Sequence, residues 1–286
     1  MRQKYMLRSV ALVMAAGLVV AACGDDTKST SSSSGSSSAS LAAPAAIKSS
    51  GKLIFCSDIS YPPEEFYDAK DATKAIGSDI EIGTDLAKRM GVTPEFDNTG
   101  FDGIIPALNA KKCDAIISGM NDTDERAKQV DFVDYISVGQ SFMVKKGNPA
   151  GIKSLNDIAG KTVSVEVGTS NADFLASQSK TFEAAGKKPV TVTTFPADTD
   201  AANALRTGKV DAYFGDAPVV AYYIKTSPSD FEFGGTPVNP IKVGIAIRKG
   251  DELKSVVQKG IDAMYSDGTM AKILEKWEMS DSLLKK

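Results

Sequence analysis

The fold is decided by the stretch from Phe101 to Phe132, which reads FDGIIPALNAKKCDAIISGMNDTDERAKQVDF. Its pattern predicts a helix over Asp102–Ala110, a short buried strand over Ala115–Ser118 and a charged helix over Thr123–Val130. Strands that alternate with helices are typical of a parallel sheet. Because ligands bind beyond the carboxyl ends of such strands, the polar residues after this strand are the first candidates for a site.

The same alternation extends over most of the chain. Short apolar segments predict strands at Leu53–Ser57, Thr93–Asp97, Thr162–Val167, Val190–Phe195, Val210–Phe214 and Lys242–Ile247. Helical patterns are found at Ile80–Met90, Ala172–Ala185, Asp200–Thr207, Pro218–Thr226 and, as one long helix, Asp251–Trp277. These segments predict an α/β fold whose mostly parallel sheets are flanked by helices.

Composition excludes several functional classes. The chain has 286 residues, 33 Lys plus Arg, 36 Asp plus Glu, no histidine and a net charge of -3. Without a basic excess it has no field for nucleic acid, and without histidine it has no Ser-His-Asp or Cys-His nucleophile and no His-bound metal. Phosphate-loop, dinucleotide-binding, C-x-x-C and G-x-S-x-G motifs are also missing from the sequence. We therefore expect no cofactor, no metal and no nucleic-acid partner.

The N-terminus predicts export and a lipid anchor. A basic start and an apolar run too short to span a bilayer make residues 1–22 typical of a signal peptide. The run ends at Cys23 in the sequence VVAACG, which resembles a bacterial lipobox; an ordinary signal peptide with an incidental cysteine is the alternative. Nine serines between Thr27 and Ser40 predict a flexible tether over residues 23–46.

The other two cysteines are Cys56 and Cys113, which could pair in an oxidising compartment. Each lies in an apolar run, where buried free cysteines are common. If Asp58 and Ser118 end neighbouring strands at the same level, the two cysteines are offset by about three residues, or ~10 Å along the sheet. We therefore expect two free, buried thiols.

Several strand ends carry groups that a small zwitterion needs. An arginine and the free amides of a helix start bind a carboxylate, whereas an acid binds an ammonium group. Groups of these kinds follow the predicted strands: Asp58, Ser118, Arg126, Thr169, Ser170 and Asp216.

The segments FDGIIPAL, DAIISGM and TDERAKQVDF within residues 101–132 resemble the extracytoplasmic solute-binding proteins of polar amino-acid ABC importers, solute-binding protein family 3. The resemblance covers the chain from about Lys52 to Trp277. It implies a type II periplasmic-binding-protein fold with two lobes, each a mostly parallel sheet flanked by helices.

The resemblance also implies lobe boundaries. Lobe 1 is expected to comprise residues 47–139 and 241–286, and lobe 2 residues 140–240. Two crossover strands, near Val138–Phe142 and Pro237–Lys242, are expected to form the hinge.

Position by position, the resemblance implies a ligand site. Arg126 matches the arginine that binds the ligand α-carboxylate, and Asp216 the aspartate that binds the α-ammonium. Ser118, Gly119 and Asn121 match residues that follow the third strand and line the cleft. Thr169 and Ser170 match the helix start of the second lobe. Asp58, Tyr61 and Phe101 match the pocket for the ligand side chain.

Simpler interpretations exist for these residues. Arg126 could belong to a solvated charge pair, Asp58 could form a turn, and Tyr61 with Phe101 could belong to the core. Extra acids that depart from the family pattern could favour a cationic ligand or could line a solvated rim. These acids are Glu64, Glu65, Asp122 and Glu166.

The resemblance implies a monomeric, non-catalytic lipoprotein on the outer face of the cell membrane. It would capture a polar amino acid, with a basic amino acid or glutamine favoured, and deliver it to the permease of an ABC importer. One alternative is a cyclohexadienyl dehydratase-like enzyme on the same fold, with Glu64, Glu65 or Glu166 as general acid. A sensory amino-acid receptor is the other.

Overall fold

In a computed structural model, the structure describes residues 40–285. The predicted signal peptide (1–22) and the lipidated Cys23 lie outside the described residues. The helices are α1 (Ala45–Ser50), α2 (Ser78–Arg89), α3 (Ile104–Asn109), α4 (Asp124–Ala127), α5 (Ser170–Ala184), α6 (Asp198–Arg206), α7 (Ala217–Thr226), α8 (Leu253–Ser266) and α9 (Thr269–Lys276). The strands are β1 (Lys52–Ser57), β2 (Ser60–Tyr61), β3 (Glu65–Asp68), β4 (Asp71–Ile76), β5 (Thr93–Asn98), β6 (Ala115–Ile116), β7 (Val130–Lys145), β8 (Thr162–Glu166), β9 (Thr191–Phe195), β10 (Ala212–Asp216), β11 (Phe231–Phe233) and β12 (Val238–Arg248).

The main sheet has the strand order β5-β1-β6-β12-β7-β10-β8-β9, and β11 pairs with β7. At one end β1 runs parallel to β5 and β6, and at the other β8 runs parallel to β9 and β10. The long strands β7 and β12 pair antiparallel between these two groups. We name the β5-β1-β6 half lobe 1 and the β10-β8-β9 half lobe 2. The predicted two-lobed α/β fold with two crossover strands is confirmed.

Each lobe has its own clusters of buried apolar side chains. In lobe 1, helices α2, α8 and α9 cover one face of the sheet through Leu86, Val257 and Leu274, and α3 covers the other. Lobe 2 has one cluster on each side of its strands, under α5 and under α6 and α7. A strand that is covered on both faces has a continuous run of apolar residues in its sequence, which explains why most of these strands could be predicted.

The crossover strands join the lobes at a short, irregular part of their pairing. Val238 pairs with Gln140 and Ile241 with Val138, and the register shifts between these two pairs. This irregularity lies at the predicted hinge. The lobe boundaries at residues 139/140 and 240/241 remain predictions.

Three segments differ from the sequence-based expectation. Residues 60–76, which carry no strand pattern, form a small antiparallel sheet of β2, β3 and β4. The long C-terminal helix is broken, because Gly268 adopts a left-handed φ of 79° and Asp267 accepts a hydrogen bond from the N–H of Thr269. The packed body begins before the expected tether boundary at residue 46, since Leu41 already packs against the lobe 1 core and donates its N–H to Arg89.

The expectation of two free thiols is wrong. Cys56 and Cys113 form a disulfide with a Cα–Cα distance of 5.6 Å. The assumed strand register is correct, since Cys56 pairs with Ile116. However, residues 111–114 turn instead of extending β6 backwards, and this turn brings Cys113 level with Cys56.

Within residues 40–285, no helix combines the length and the apolar character needed to cross a membrane.

Candidate functional site

A small cavity between the lobes brings most of the predicted site residues together. Its accessible volume is ≈ 10 Å³, about what one water molecule needs. Eight of the ten predicted ligand-binding residues line it, together with Glu166 and Asn171. The eight are Asp58, Tyr61, Phe101, Gly119, Asn121, Arg126, Thr169 and Ser170.

Arg126 lies on the short helix α4, whose N-cap is Thr123: the Thr123 hydroxyl accepts the N–H of Arg126. Its guanidinium is buried and lies over the ring of Phe101, 5.1 Å from the ring centroid. It donates to the carbonyl of Asn121 at 2.9 Å and, across the cleft, to the carbonyl of Gly168 at 3.1 Å. Burial lowers the pKa of Arg126 from its ordinary value. Arg126 therefore does not belong to a solvated charge pair on a surface helix.

The start of α5 faces Arg126 from lobe 2. The Thr169 hydroxyl caps the helix by accepting the N–H of Ala172 at 3.1 Å. Ser170 donates its hydroxyl to the side-chain oxygen of Asn121 at 2.5 Å, which joins the two lobes. The N-terminus of this 15-residue helix thus adds positive potential beside the guanidinium.

Asp216 ends β10 and lies behind the cavity wall. Its carboxylate accepts hydrogen bonds from the side-chain amides of Asn121 at 3.1 Å and Asn171 at 3.4 Å. Its backbone N–H donates to the hydroxyl of Tyr61 at 3.1 Å. Burial raises the pKa of Asp216 to about 6, against the lowering effect of these donors and of Arg126.

Gly119 and Ser118 have different positions. Gly119 has a φ of 48°, and a Cβ there would lie 2.9 Å from the ring of Tyr61, so the tyrosine can pack only against glycine. Ser118 does not line the cavity: its hydroxyl donates to Glu65 at 2.9 Å and accepts the N–H of Asp58 at 2.9 Å. Ser118 therefore fixes the backbone of Asp58 without contacting the cavity.

The tail end of the cavity is acidic. One carboxylate oxygen of Asp58 accepts the N–H of Phe101 at 2.8 Å, and Glu166 of lobe 2 lines the same cavity. Burial raises the pKa of Asp58, and burial together with the nearby Asp198 and Asp58 raises the pKa of Glu166 well above its ordinary value.

The extra acids Glu64 and Glu65 line neither the cavity nor a solvated rim. Both are buried (1% and 0% exposed) in β3 and the turn before it, close to Asp79. Asp79 accepts hydrogen bonds from the N–H of Gly119 and from the Tyr135 hydroxyl. Burial and the neighbouring carboxylates raise the pKa of both glutamates well above their ordinary values. Glu64, Glu65 and Asp79 thus form a buried acidic cluster next to Gly119.

Asp122 faces away from the site. It is half-buried beside Asp134 and Lys242 on the crossover strands, and burial is the main cause of its raised pKa. A further acid, Asp198 at the start of α6, accepts the hydroxyls of Tyr213 and Tyr223. Burial raises the pKa of Asp198 to about 7.

Two of the lining residues were not among the predicted ligand-binding residues. Glu166 is one of the extra acids for which a role at the ligand or at a solvated rim was left open, and Asn171 directly follows the predicted residues Thr169 and Ser170 at the start of α5. The signal for Asn171 was available, because an amide in the first turn of a helix that faces a site can reach the same ligand.

A larger depression than the cavity lies between α7 and residues 278–282. It is lined mainly by small and apolar residues, among them Val138, Pro218 and Phe233, and no arginine or lysine lines it. It lacks the cation that a ligand carboxylate requires, whereas the cavity around Arg126 collects eight of the predicted ligand-binding residues and is therefore the candidate site.

The chain is similar to known amino-acid-binding proteins. The L-cystine-binding protein TcyJ of Escherichia coli (strain K12) is 32% identical over 82% of this chain and 85% of its own. The putative ABC transporter arginine-binding protein 2 of the same strain is 31% identical over 78% of this chain and 89% of its own. The solved structure of an ancestral arginine-binding protein bound to arginine has a TM-score of 0.72 and is 40% identical; the match covers 79% of this chain and 98% of that one.

Residues 53–280 match the family of bacterial extracellular solute-binding proteins, family 3. This match spans both lobes and both crossover strands. The chain therefore belongs to this family of extracytoplasmic solute-binding proteins.

Proposed function

We propose that this protein captures a polar amino acid, with a basic amino acid or glutamine favoured, and delivers it to the permease of an ABC importer. The observation that carries the proposal is that a buried arginine, a helix N-terminus and acids from both lobes meet around one cavity. These groups match the three parts of such a ligand: the α-carboxylate, the α-ammonium and the tail.

Arg126 and the start of α5 would bind the α-carboxylate. A guanidinium offers two parallel N–H groups to a carboxylate, and its present partners are two backbone carbonyls that accept one bond each. The free amides in the first turn of α5 and the hydroxyl of Ser170 supply further donors. The ring of Phe101 holds the guanidinium plane from one side.

Asp216 would bind the α-ammonium. Its carboxylate is now held by the amides of Asn121 and Asn171, and an ammonium group could replace or share these donors. A cation beside a buried carboxylate lowers the pKa of that carboxylate, so binding would keep Asp216 ionised.

The acidic end of the cavity would receive the ligand tail. Asp58 accepts hydrogen bonds from a cation or an amide, and the ring of Phe101 adds cation–π attraction. A glutamate or aspartate tail would instead meet Asp58 in a half-desolvated cleft. This is the reason to favour Arg, Lys, ornithine or Gln.

The lobes must move apart for the ligand to enter. A cavity of ≈ 10 Å³ holds no amino acid, and side chains of both lobes close it. The irregular pairing of β7 and β12 gives the hinge about which the lobes would separate. Because the ligand would contact both lobes, it would shift the population towards the closed form.

Residues 1–46 would place the binding lobes near the importer. Cleavage after residue 22 and lipid on Cys23 would anchor the chain to the outer face of the membrane, with the Ser-rich segment as a tether. We propose that the body acts there as a monomer.

We propose a non-catalytic role. One observation favours the enzymatic alternative. Glu166 is a buried acid with a raised pKa that lines the cavity, as a general acid for a dehydratase would need. Glu64 and Glu65 do not line it. Purified protein that consumes prephenate or arogenate would establish the enzymatic alternative, whereas unchanged substrate would leave the binding role.

A thermal-shift screen tests the proposed function. A ligand at about 100 times its dissociation constant stabilises the native state by about 2.7 kcal/mol, which gives a clear rise in Tm. We expect such a rise with Arg, Lys, ornithine or Gln and none with Glu or Asp. No shift with any of the twenty amino acids, ornithine or cystine would contradict the proposal.

A further inference from the structure

The two lobes also contact each other outside the cavity, through aromatic rings. Phe66 in β3 of lobe 1 has its ring centroid 5.3 Å from that of Tyr222 in α7 of lobe 2. The ring of Trp277, at the C-terminal end of α9 in lobe 1, meets Phe66 edge-on, with a centroid distance of 5.8 Å. Both distances lie in the range in which aromatic rings attract each other. These three residues do not line the cavity around Arg126.

A salt bridge between the lobes accompanies the rings. Lys225, three residues after Tyr222 on α7, pairs with Glu278, which directly follows Trp277. Tyr222, Lys225, Trp277 and Glu278 line one surface depression between α7 and the end of α9. Both charged side chains are 63% exposed, so the rings rather than the ion pair supply most of the attraction. We name Phe66, Tyr222, Lys225, Trp277 and Glu278 the interlobe latch.

Each half of the latch is fixed to its own lobe. In lobe 1, the indole N–H of Trp277 donates to Oε1 of Glu81 on α2 at 3.1 Å, and the Trp277 ring packs against the lobe 1 core. In lobe 2, the ring of Tyr222 packs edge-on against that of Tyr223, which packs against the lobe 2 core. The two halves therefore move with their lobes, and the latch is formed only when the lobes are together.

The latch continues the contact that closes the cavity. Phe66 pairs with Ser60 of β2, and the Ser60 hydroxyl accepts the N–H of Asp198 of lobe 2 at 3.2 Å. The next residue, Tyr61, lines the cavity and accepts the N–H of Asp216. The small sheet thus contacts lobe 2 beside the cavity, at the start of α6 and at α7. A hinge motion that separates Tyr61 from Asp216 therefore also breaks the latch.

We propose that the interlobe latch stabilises the closed form independently of the ligand and thereby sets the affinity for every ligand by the same factor. This inference rests on the proposed function, because it concerns the closure that would trap the amino acid. A ligand held between the lobes needs the closed form, so its apparent dissociation constant is the intrinsic one divided by the closed fraction. Phe66 and Tyr222 are therefore positioning residues: they touch no ligand but determine how often the site is assembled.

Tyr222→Ala in the full mature protein tests the latch. Loss of the ring should lower the closed fraction and raise the dissociation constants for L-arginine, L-lysine and L-glutamine, each by about five- to tenfold. The ratios between these constants, measured by calorimetry, should stay within twofold of those of the unmodified protein. The radius of gyration of the ligand-free protein, measured by small-angle X-ray scattering, should increase.

Two variants serve as controls for Tyr222→Ala. Tyr222→Phe keeps the ring and removes the hydroxyl, so it should bind within twofold of the unmodified protein. Tyr67→Ala removes the ring next to Phe66 in β3, but Tyr67 is 38% exposed and its side chain points to the opposite face of the strand. It should leave both the affinity and the radius of gyration unchanged.

Lys225→Glu tests the latch at an exposed position, where a substitution leaves the fold intact. It places two negative charges opposite each other, since Glu278 keeps its place. The dissociation constant for arginine should rise by about two- to threefold at low ionic strength, and the difference should vanish in about 1 M salt. Equal affinities of Lys225→Glu and the unmodified protein at low ionic strength would contradict a contact between these side chains in the ligand-bound form.

The results separate the latch from the proposed function. A Tyr222→Ala dissociation constant within twofold of that of the unmodified protein overturns the latch, and so does an unchanged radius of gyration. A loss of affinity that differs by more than threefold between ligands also overturns it, because such a loss acts through the cavity. If no amino acid binds the unmodified protein, the proposed function fails, and the scattering comparison of the ligand-free proteins still decides the latch.

Discussion

Asp216 of lobe 2 donates its backbone N–H to the hydroxyl of Tyr61 of lobe 1, at a nitrogen–oxygen distance of 3.1 Å. The Tyr61 side chain belongs to the lobe 2 core, where it packs in one cluster with Met143 and Leu205. One residue of lobe 1 thus fills a position in the core of lobe 2 and bonds the residue proposed to hold the ligand ammonium. This contact couples closure of the lobes to the geometry of the site.

Tyr61→Phe should weaken both closure and binding. The variant keeps the ring but leaves the N–H of Asp216 without its acceptor, which costs ~1–3 kcal/mol in the closed form. We expect the dissociation constant for the ligand to rise by roughly tenfold, and the radius of gyration of the ligand-free protein, measured by small-angle X-ray scattering, to increase. Tyr67→Phe is the control, since Tyr67 is 38% exposed on the small sheet. A Tyr61→Phe dissociation constant within twofold of the unmodified protein would refute the coupling.

Arg126→Ala should abolish amino-acid binding and leave the fold intact. Loss of the guanidinium leaves the ligand carboxylate unpaired in a desolvated cleft, which costs roughly 2–5 kcal/mol. Lysine should restore little, because an ammonium lacks the planar fork. Calorimetry measures the binding and circular dichroism the fold.

Arg206→Ala is the control for Arg126→Ala. Arg206 also lies over an aromatic ring, that of Phe231, at 4.7 Å, and pairs with Asp230, but it is exposed on lobe 2 and outside the cavity. Its replacement should not change the affinity. If Arg126→Ala binds the ligand within threefold of the unmodified protein, the carboxylate assignment is wrong.

Reduction of the Cys56–Cys113 disulfide should destabilise the protein. The bridge closes a long loop, with a sequence separation of 57, that carries Asp58, Tyr61 and Phe101. Loss of such a cross-link typically lowers the free energy of unfolding by about 2–4 kcal/mol. Urea unfolding with and without dithiothreitol measures the difference, and a Cys56→Ala/Cys113→Ala variant should be insensitive to the reductant. Two titratable thiols in the unreduced native body would show that the bridge is not formed.

Stability of the ligand-free protein should fall as pH rises from 5 to 8. The native pKa is about 7 for Asp198 and about 6 for Asp216, against an ordinary value of 3.8 for both. Between these values the native state holds more protons than the unfolded chain, so the free energy of unfolding decreases with increasing pH. The stabilisation is complete below about pH 4 and is lost as pH passes the native pKa values. Each such group contributes up to about 1.4 kcal/mol per pH unit.

Calorimetric unfolding at several pH values checks the sign. Asp198→Asn should reduce the slope of Tm against pH, whereas Asp200→Asn, at an exposed position two residues further along α6, should not. A Tm that rises steadily from pH 5 to pH 8 in the ligand-free protein would contradict the raised pKa values of these buried acids.

Much of the architecture could be predicted because strands and helices repeat a local pattern. β1, β8 and the helices α5 and α7 lie within a few residues of their expected positions, since apolar runs and helix caps are local signals. The disulfide could not be predicted, because it depends on a turn at residues 111–114 whose sequence, KKCD, carries no glycine or proline. The small sheet of residues 60–76 was missed for a similar reason: its strands are polar and short.

The candidate site was predictable in its composition but not in its contacts. Strand ends and the family resemblance pointed to Asp58, Arg126 and Asp216. Contacts between residues distant in sequence decided the rest: Ser118 donates its hydroxyl to Glu65, 53 residues away, and Glu166 of lobe 2 lines the same cavity as Asp58. Such pairings depend on packing between lobes, which no local pattern encodes.

Calorimetric titration with L-arginine and with L-glutamate tests the central claim most directly, with the unmodified protein and Asp58→Asn side by side. The account predicts that arginine binds, that glutamate neither binds nor displaces it, and that Asp58→Asn weakens arginine more than it weakens glutamine. The physical reason is that a negative tail would meet the carboxyl groups of Asp58 and Glu166 in a buried cleft. Glutamate that binds more tightly than both arginine and glutamine would contradict the account.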